Sequence, residues 1–211
     1  MTPEAERLYA AALAQRPEPL LARDRAGAAV KLPTERWLAG AGPADLRLLR
    51  RARGPVLDVG CGPGRHVRAL AALGIAALGL DTSPAAVRVA RERGTEVVHG
   101  SVFDVVPGAG GWRTVLLLDG NVGIGGDPTA LLRRLADLLT DDGTVLCECD
   151  PPGRGVRAGP LRLEHADGTS RWFPWAHVSV DAVDAAAAPA GLVVRSRWED
   201  GGRWFAELAP A

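Results

Sequence analysis

The residues whose types and spacing promise chemistry are concentrated in one run, Val56-Leu-Asp-Val-Gly-Cys-Gly-Pro-Gly-Arg65. Gly60, Gly62 and Gly64 allow a sharp turn in which backbone, with no side chain in the way, meets a ligand. Cys61 sits inside that turn. A pyrophosphate-binding turn of the dinucleotide type needs glycine where this chain has Arg65. Asp58, just before the turn, is also a poor neighbour for pyrophosphate and suits a ligand carrying an amino group. Asp81 follows about twenty residues beyond the glycines, where an acid can accept hydrogen bonds from two ribose hydroxyls. Helix capping, its plainer alternative, falls better to Ser83, with Pro84 at the first helical position.

These residues need elements to position them. Pro55–Val59, Ile75–Leu80, Glu96–His99, Arg113–Leu118 and Thr144–Cys149 read as short buried strands. Helical patterns at 65–73, 83–93 and 128–139 lie between them, which implies a parallel, doubly wound α/β sheet. Before it, a helix from Pro3 to Gln15 ends ahead of Pro17, a small hairpin turns near Ala26-Gly27, and two helices cover 33–38 and 44–53. Arg47, Arg50, Arg51 and Arg53 read as a solvated face of the last of these. After it, the segments 161–165 and 171–178 flank a turn at Ala166-Asp167-Gly168, and a helix spans 181–190. The segments 192–198 and 203–208 then close the chain as a hairpin. The expected organisation is one domain, with a helical cap (1–53), a ligand-binding core (54–150), and a hairpin insertion with closing strands (151–211).

Asp-Val-Gly-Cys-Gly-Pro-Gly resembles motif I of the Rossmann-like S-adenosylmethionine-dependent methyltransferases. The resemblance covers residues 55–150 by motif and reaches the final hairpin by topology. It implies a mostly parallel seven-stranded sheet, its seventh strand antiparallel between the fifth and sixth, and S-adenosyl-L-methionine as cofactor. It places Asp58, Gly60 and Gly62 beside the methionine amino and carboxylate ends, with Thr82 and Ser83 close to the ribose reader Asp81. The family often has an acid directly after the glycine that follows the third strand. Here that position is Ser101, so Ser101, the Val102 backbone and Asp104 are all candidates for reading adenine. Asp119 and Asn121, in the glycine-rich run after the fourth strand, are expected to face the methionine half or the acceptor. Segments before the first strand often cap the cofactor in this family, which draws in Tyr9 and Trp37.

Methyl transfer from a sulfonium is a direct displacement, so the protein supplies alignment, exclusion of water and, for an acceptor that keeps its proton, a base. His177 and His165 are candidate bases; His66 reads as packing or cofactor-proximal. Asp150, at the end of the fifth strand, is a candidate for the acceptor pocket. Trp172, Phe173 and Trp175 are candidates for a lid over an apolar acceptor or a sulfonium.

Composition narrows the partners. The 25 basic and 25 acidic side chains cancel, which argues against a protein held to nucleic acid by bulk phosphate attraction. No apolar run reaches the roughly 18 residues of a membrane span. The start of the chain has Glu4 and Glu6 where a signal peptide would be basic. Cys147 and Cys149 match no zinc spacing, and no metal is expected. A cytoplasmic methyltransferase acting on a small molecule is therefore expected. The rivals are a non-catalytic module binding S-adenosylmethionine or S-adenosylhomocysteine, and a nicotinamide-dependent oxidoreductase, against which Asp58 and Arg65 both count.

Overall fold

The computed structural model describes residues 2–14 and 18–211. Helix α1 (Pro3–Leu13) begins where Thr2 Oγ1 accepts the Ala5 N–H at 3.2 Å, with proline at the first helical position. Gln15 and Pro17, the expected end of this helix, lie outside the described residues. A hairpin of β1 (Leu21–Asp24) and β2 (Ala29–Lys31) follows, then α2 (Thr34–Leu38) and α3 (Pro43–Leu49).

Strand–helix alternation then sets in. β3 (Val56–Val59), α4 (Arg65–Ala72), β4 (Ala77–Asp81), α5 (Pro84–Glu92), β5 (Val97–His99), β6 (Trp112–Leu117), α6 (Pro128–Ala136) and β7 (Leu139–Cys149) succeed one another. β7 starts at Leu139, earlier than the apolar run at 144–149 suggests. Its first residues are polar and partly exposed because they lie at the strand's open end, and Leu139 pairs with Trp112 of β6. The helix before it accordingly ends at Ala136. The chain finishes with β8 (Val156–His165), β9 (Gly168–Thr169), β10 (Phe173–Val178), α7 (Val183–Ala187), β11 (Leu192–Asp200) and β12 (Arg203–Pro210). Pro189 stands in a short 3-10 turn after α7, so the expected helix over 181–190 is regular only in its middle.

The main sheet has seven strands in the order β11-β12-β7-β6-β3-β4-β5. β3 through β7 run parallel, and β12 is antiparallel to both β7 and β11. The last strand thus lies between the fifth and sixth of this sheet, as the resemblance implies. On one face α6 and α7 bury Leu131, Leu132, Leu135, Val183 and Ala187. On the other, Leu48 and Leu49 of α3 and Leu70 of α4 pack on Leu116, Leu146 and Phe205. Burying each such leucine fully contributes about 1.5–3 kcal/mol. α3 is therefore a core helix and no part of a cap. Its arginines are exposed but engaged: Arg47 with Asp200, Arg51 with Glu207 and stacked on Trp198, Arg53 with Asp142. At the outer edge of the sheet, β11 carries a bulge between Val194 and Ser196.

The two outlying hairpins form one antiparallel sheet. Its order is β10-β8-β1-β2, with β9 paired to β8. β1 and β8 join in the register Leu21↔Glu164 to Asp24↔Leu161. A two-stranded hairpin alone is marginal in water, and pairing the two gives a sheet with a face to bury. α1 covers that face with Ala5, Leu8 and Ala12 against Leu20, Leu163 and Phe173. The cap is thus a mixed roof of helix and sheet built from both outer parts of the chain. Among the described residues no helix is long and apolar enough to cross a membrane.

Candidate functional site

The glycine turn leaves β3 at the carboxyl edge of the parallel strands. Gly60, Gly62 and Gly64 hold φ values of 70°, 53° and 80°, a region costly to any residue with a Cβ. At Gly60 a Cβ would also lie 2.6 Å from Asn121 Nδ2. That amide donates to the Val59 and Gly60 carbonyls, 2.9 Å each, and so ties the loop after β6 to the turn. Cys61 directs its thiol away from this surface, against Gly79, where burial raises its pKa. Only its backbone belongs to the turn.

Asp81 ends β4 with both carboxylate oxygens engaged. One accepts the Gly62 N–H and the other the Ser83 N–H, each at 2.8 Å. A carboxylate has about four lone-pair sites, so each oxygen keeps capacity for a further donor. Burial pushes Asp81 up to about 6, against the opposing pull of the two backbone N–H groups. Ser83 caps α5 by accepting the Ala86 N–H. Thr82 is exposed, and its carbonyl meets His99 Nε2 at 3.1 Å.

α1 lays Tyr9 over the turn, its hydroxyl 3.1 Å from the position of a Gly62 Cβ. Burial, then the charges of Asp81, Cys61, Asp119 and Glu6, raise the Tyr9 pKa, so the phenol stays protonated. Trp37 of α2 meets its ring edge-on at 5.9 Å. Glu6 of the same helix as Tyr9 accepts the Ser83 hydroxyl at 2.9 Å and the Ala85 N–H at 3.2 Å, which fastens α1 to the start of α5.

Below the turn lies a cluster of charges that the sequence does not reveal. Arg65, whose side chain is 2% exposed, bonds Asp45 and Asp119. Arg203 of β12 joins Asp45 and Glu148, both at 2.6 Å. Arg36 of α2 reaches Asp119. His66 completes the set between Asp45 Oδ1 (3.7 Å) and Asp58 Oδ2 (3.5 Å). Asp119, expected to face the methionine half or the acceptor, turns its carboxylate into this cluster. It is the one non-glycine residue with positive φ among those described, at 57°, and its N–H donates to Glu148 at 2.8 Å. Burial disfavours its charge, but His66, Arg65 and Arg36 outweigh burial and hold it below the usual carboxylate range. Asp45 is likewise held far below that range, against its burial, by His66, Arg203 and Arg65. For His66 burial opposes the charge, yet Asp45 and Asp58 raise it to about 9. In sequence the only sign of this cluster is Arg65 in place of a glycine.

After β5, Ser101 Oγ accepts the Phe103 N–H at 3.2 Å, and the Val102 carbonyl accepts from Arg134 Nε at 2.9 Å. Asp104 stands apart, with its side chain exposed in an outer groove beside Phe103, Val105 and Arg134.

β10 forms a wall over the same edge. Phe173, Trp175 and His177 alternate onto one face of the strand. Phe173 meets Trp175 edge-on at 6.3 Å, and Trp175 bridges to Ile124 just beyond Asn121. His177 Nδ1 lies 3.5 Å from Asp150 Oδ2, the residue that follows β7, and Arg157 reaches the same oxygen at 3.1 Å. The bond to His177 is the main reason that Asp150 sits below the usual carboxylate range. The two candidate catalytic residues are therefore neighbours. Trp172 is not part of this wall: it stacks under Arg162 and Arg25. His165 is held in the β8–β9 turn beside Asp167.

The turn and its surroundings fit an amino-acid group joined to a nucleoside. Asp58 Oδ2 is buried without a hydrogen-bond partner, as are Arg36 Nε, Arg65 Nε and Trp37 Nε1. An unpaired carboxylate oxygen suits an ammonium group, unpaired N–H donors suit a carboxylate, and Asp81 has capacity for a ribose diol. Comparison with known proteins agrees. Residues 56–143 match the family model described as a methyltransferase domain. A lysine N-methyltransferase of Mus musculus, named for an ATP synthase component, is 34% identical over 110 residues, 51% of this chain and 44% of that protein. The chain therefore spans less than half the length of that curated relative. Among solved structures, a SAM-dependent methyltransferase from Bacteroides fragilis in complex with S-adenosyl-L-homocysteine covers 100% of this chain and 98% of its own. It has a TM-score of 0.84 at 24% identity. The CcbJ methyltransferase from Streptomyces caelestis matches with a TM-score of 0.64 at 18% identity, over 83% of this chain and 92% of its own. Motif, sheet order and matched domain converge: the chain has the Rossmann-like fold of the class I S-adenosylmethionine-dependent methyltransferases, and its residues 56–143 match a methyltransferase domain.

Proposed function

We propose that the protein methylates a small-molecule amine, with His177 as general base. The observation that carries this reading is the His177–Asp150 pair, set at the carboxyl end of β7 beside the wall of Phe173 and Trp175. In the proposed assignment Asp58, Gly60, Gly62 and Gly64 receive the amino-acid end of the cofactor, with Arg36 and Arg65 near its carboxylate. Asp81 and Thr82 receive the ribose, Ser101 and Val102 the adenine. Asn121 holds the turn in shape. S-adenosylmethionine supplies an activated methyl group on a sulfonium. An acceptor amine is an ammonium ion at neutral pH and must lose a proton to become a nucleophile. Asp150 accepts from Nδ1–H of His177, which leaves Nε2 to take that proton. Phe173 and Trp175 shield the site from water.

A second reading, a lysine side chain of a protein as acceptor, is favoured by the name of the Mus musculus relative. Both acceptors are amines, so one experiment separates them. The protein is incubated with S-adenosylmethionine and either a panel of small amines or lysine-containing peptides, and methylated products are read by mass spectrometry. His177→Ala should lower turnover at pH 7 by about 10²–10⁴-fold. Tight cofactor binding with no methylated product from either arm would favour a non-catalytic module.

A further inference from the structure

The charge cluster under the turn contains four acids, Asp45, Asp58, Asp119 and Glu148, but only three arginines, Arg36, Arg65 and Arg203. The fourth base is His66. It is also the one cationic side chain paired with Asp58 among the described residues. His66 is 3% exposed and is gripped from separate elements. Asp45 comes from α3, Asp58 from β3, and Arg65 precedes it on α4. Asp119, after β6, acts on it through space, and Arg203 of β12 braces Asp45 from behind. Its ring nitrogens face two different carboxylates, so the imidazole cannot turn without abandoning one of them.

We propose that His66 is a positioning residue of the cofactor site: lodged between Asp45 and Asp58, it fixes the Asp58 carboxylate to receive the α-ammonium group of the bound cofactor. This rests on the cofactor assignment above. It follows from geometry and charge balance together. Asp58 is buried, and the oxygen nearest His66 has no shorter partner. Without a cation beside it that carboxylate would be an uncompensated buried charge, whose orientation no other ion pair among the described residues secures. With the imidazolium in place, the carboxylate is oriented before the ligand arrives, which reduces the ordering needed on binding. The raised His66 pKa, about 9, keeps the ring charged through the neutral range. As pH climbs through that value, the stability supplied by the charged ring, complete below about 6.5, is lost.

The test uses two ligands, S-adenosylhomocysteine and the same thioether lacking its α-amino group, with affinities measured by calorimetry at pH 7.5. The wild-type protein should prefer the amino-bearing ligand at least tenfold. His66→Gln should reduce that preference to under threefold, chiefly by weakening S-adenosylhomocysteine. His66→Asn, which keeps a neutral donor toward Asp58, should restore part of it. A merely structural role would weaken both ligands equally, and that outcome, or an unchanged preference, overturns the proposal. If the wild-type protein binds neither ligand, the cofactor assignment itself is wrong. Should the variants fail to fold, NMR of the wild-type imidazole suffices. S-adenosylhomocysteine should shift the His66 titration to lower pH, while the des-amino ligand should leave it in place; equal shifts refute the role.

Discussion

The parallel core and the roof above it are held together by opposite means. In the core, β3, β4 and β5 follow one another through short helices, and the glycine turn is contiguous in sequence. Its charges are sunk among four acids and four bases with little freedom to move. In the roof, strands from the two outer parts of the chain must find each other: Arg23 and Glu164, which pair across β1 and β8, are 141 residues apart. The contacts by which the outer parts meet the core include Glu6 on Ser83, Arg36 on Asp119, the Ile124–Trp175 bridge and the Asp150–Ser179 bridge. A densely ion-paired floor is thereby combined with a roof assembled from distant parts of the chain.

Four substitutions probe this division. Arg65→Ala removes one partner each from Asp45 and Asp119 and should destabilise the fold by about 3–5 kcal/mol in denaturant titration. A loss below about 1 kcal/mol would mean that the cluster does not anchor the floor. Asp81→Asn, also in the floor, should weaken S-adenosylhomocysteine by about 1.5–3 kcal/mol, since hydrogen bonds to a charged group are lost. The same residue makes binding pH-dependent. Its pKa of about 6 in the fold lies above its ordinary 3.8, so protonation favours the fold fully below 3.8 and that contribution has gone once pH passes about 6. In the proposed assignment the ligand's ribose hydroxyls instead favour the ionised form. Affinity measured from pH 7.5 down to 5 should therefore fall below about pH 6, and Asp81→Asn should flatten the profile.

Gly123→Ala strikes the seam. The new methyl would run into the Ala176 carbonyl and the Trp175 indole, costing about 1–3 kcal/mol by overpacking. Limited proteolysis should find new cuts within residues 151–178 while the core stays intact; cuts spread evenly over both regions would erase the distinction between them. Glu6→Ala is the gentlest. Loss of its two hydrogen bonds to α5 should cost about 0.5–1.5 kcal/mol, seen as faster amide exchange along α1 and not along β3 or β6.

What the sequence discloses follows the same boundary. Strands of the core are short apolar runs between helical patterns, and the turn residues are adjacent, so local spacing carries both. Pairing of β1 with β8 leaves no local trace, because neither strand's composition names its partner. The cluster is hidden for a similar reason. Arg36, Asp45, Glu148 and Arg203 come from four separate elements, and each alone reads as an ordinary surface charge. Asp119 departs from expectation because a position after β6 predicts the edge but not the rotamer; the left-handed backbone there turns its carboxylate toward Arg65 and Arg36. His177 and Asp150 stand out separately in the sequence, and only the register of β10 against the end of β7 makes them a pair.

The bulge in β11 bears on how the protein behaves in a crowded solution. That strand ends the main sheet and offers nine residues of unpaired backbone on its outer side, an invitation to edge-to-edge aggregation. The irregularity between Val194 and Ser196 breaks the flat register that an incoming strand needs. Arg195, Arg197 and Glu199 line the same stretch, and Arg197 is drawn sideways to Asp184. A kinked, charged rim therefore guards this border against amyloid-like stacking, without any covering helix.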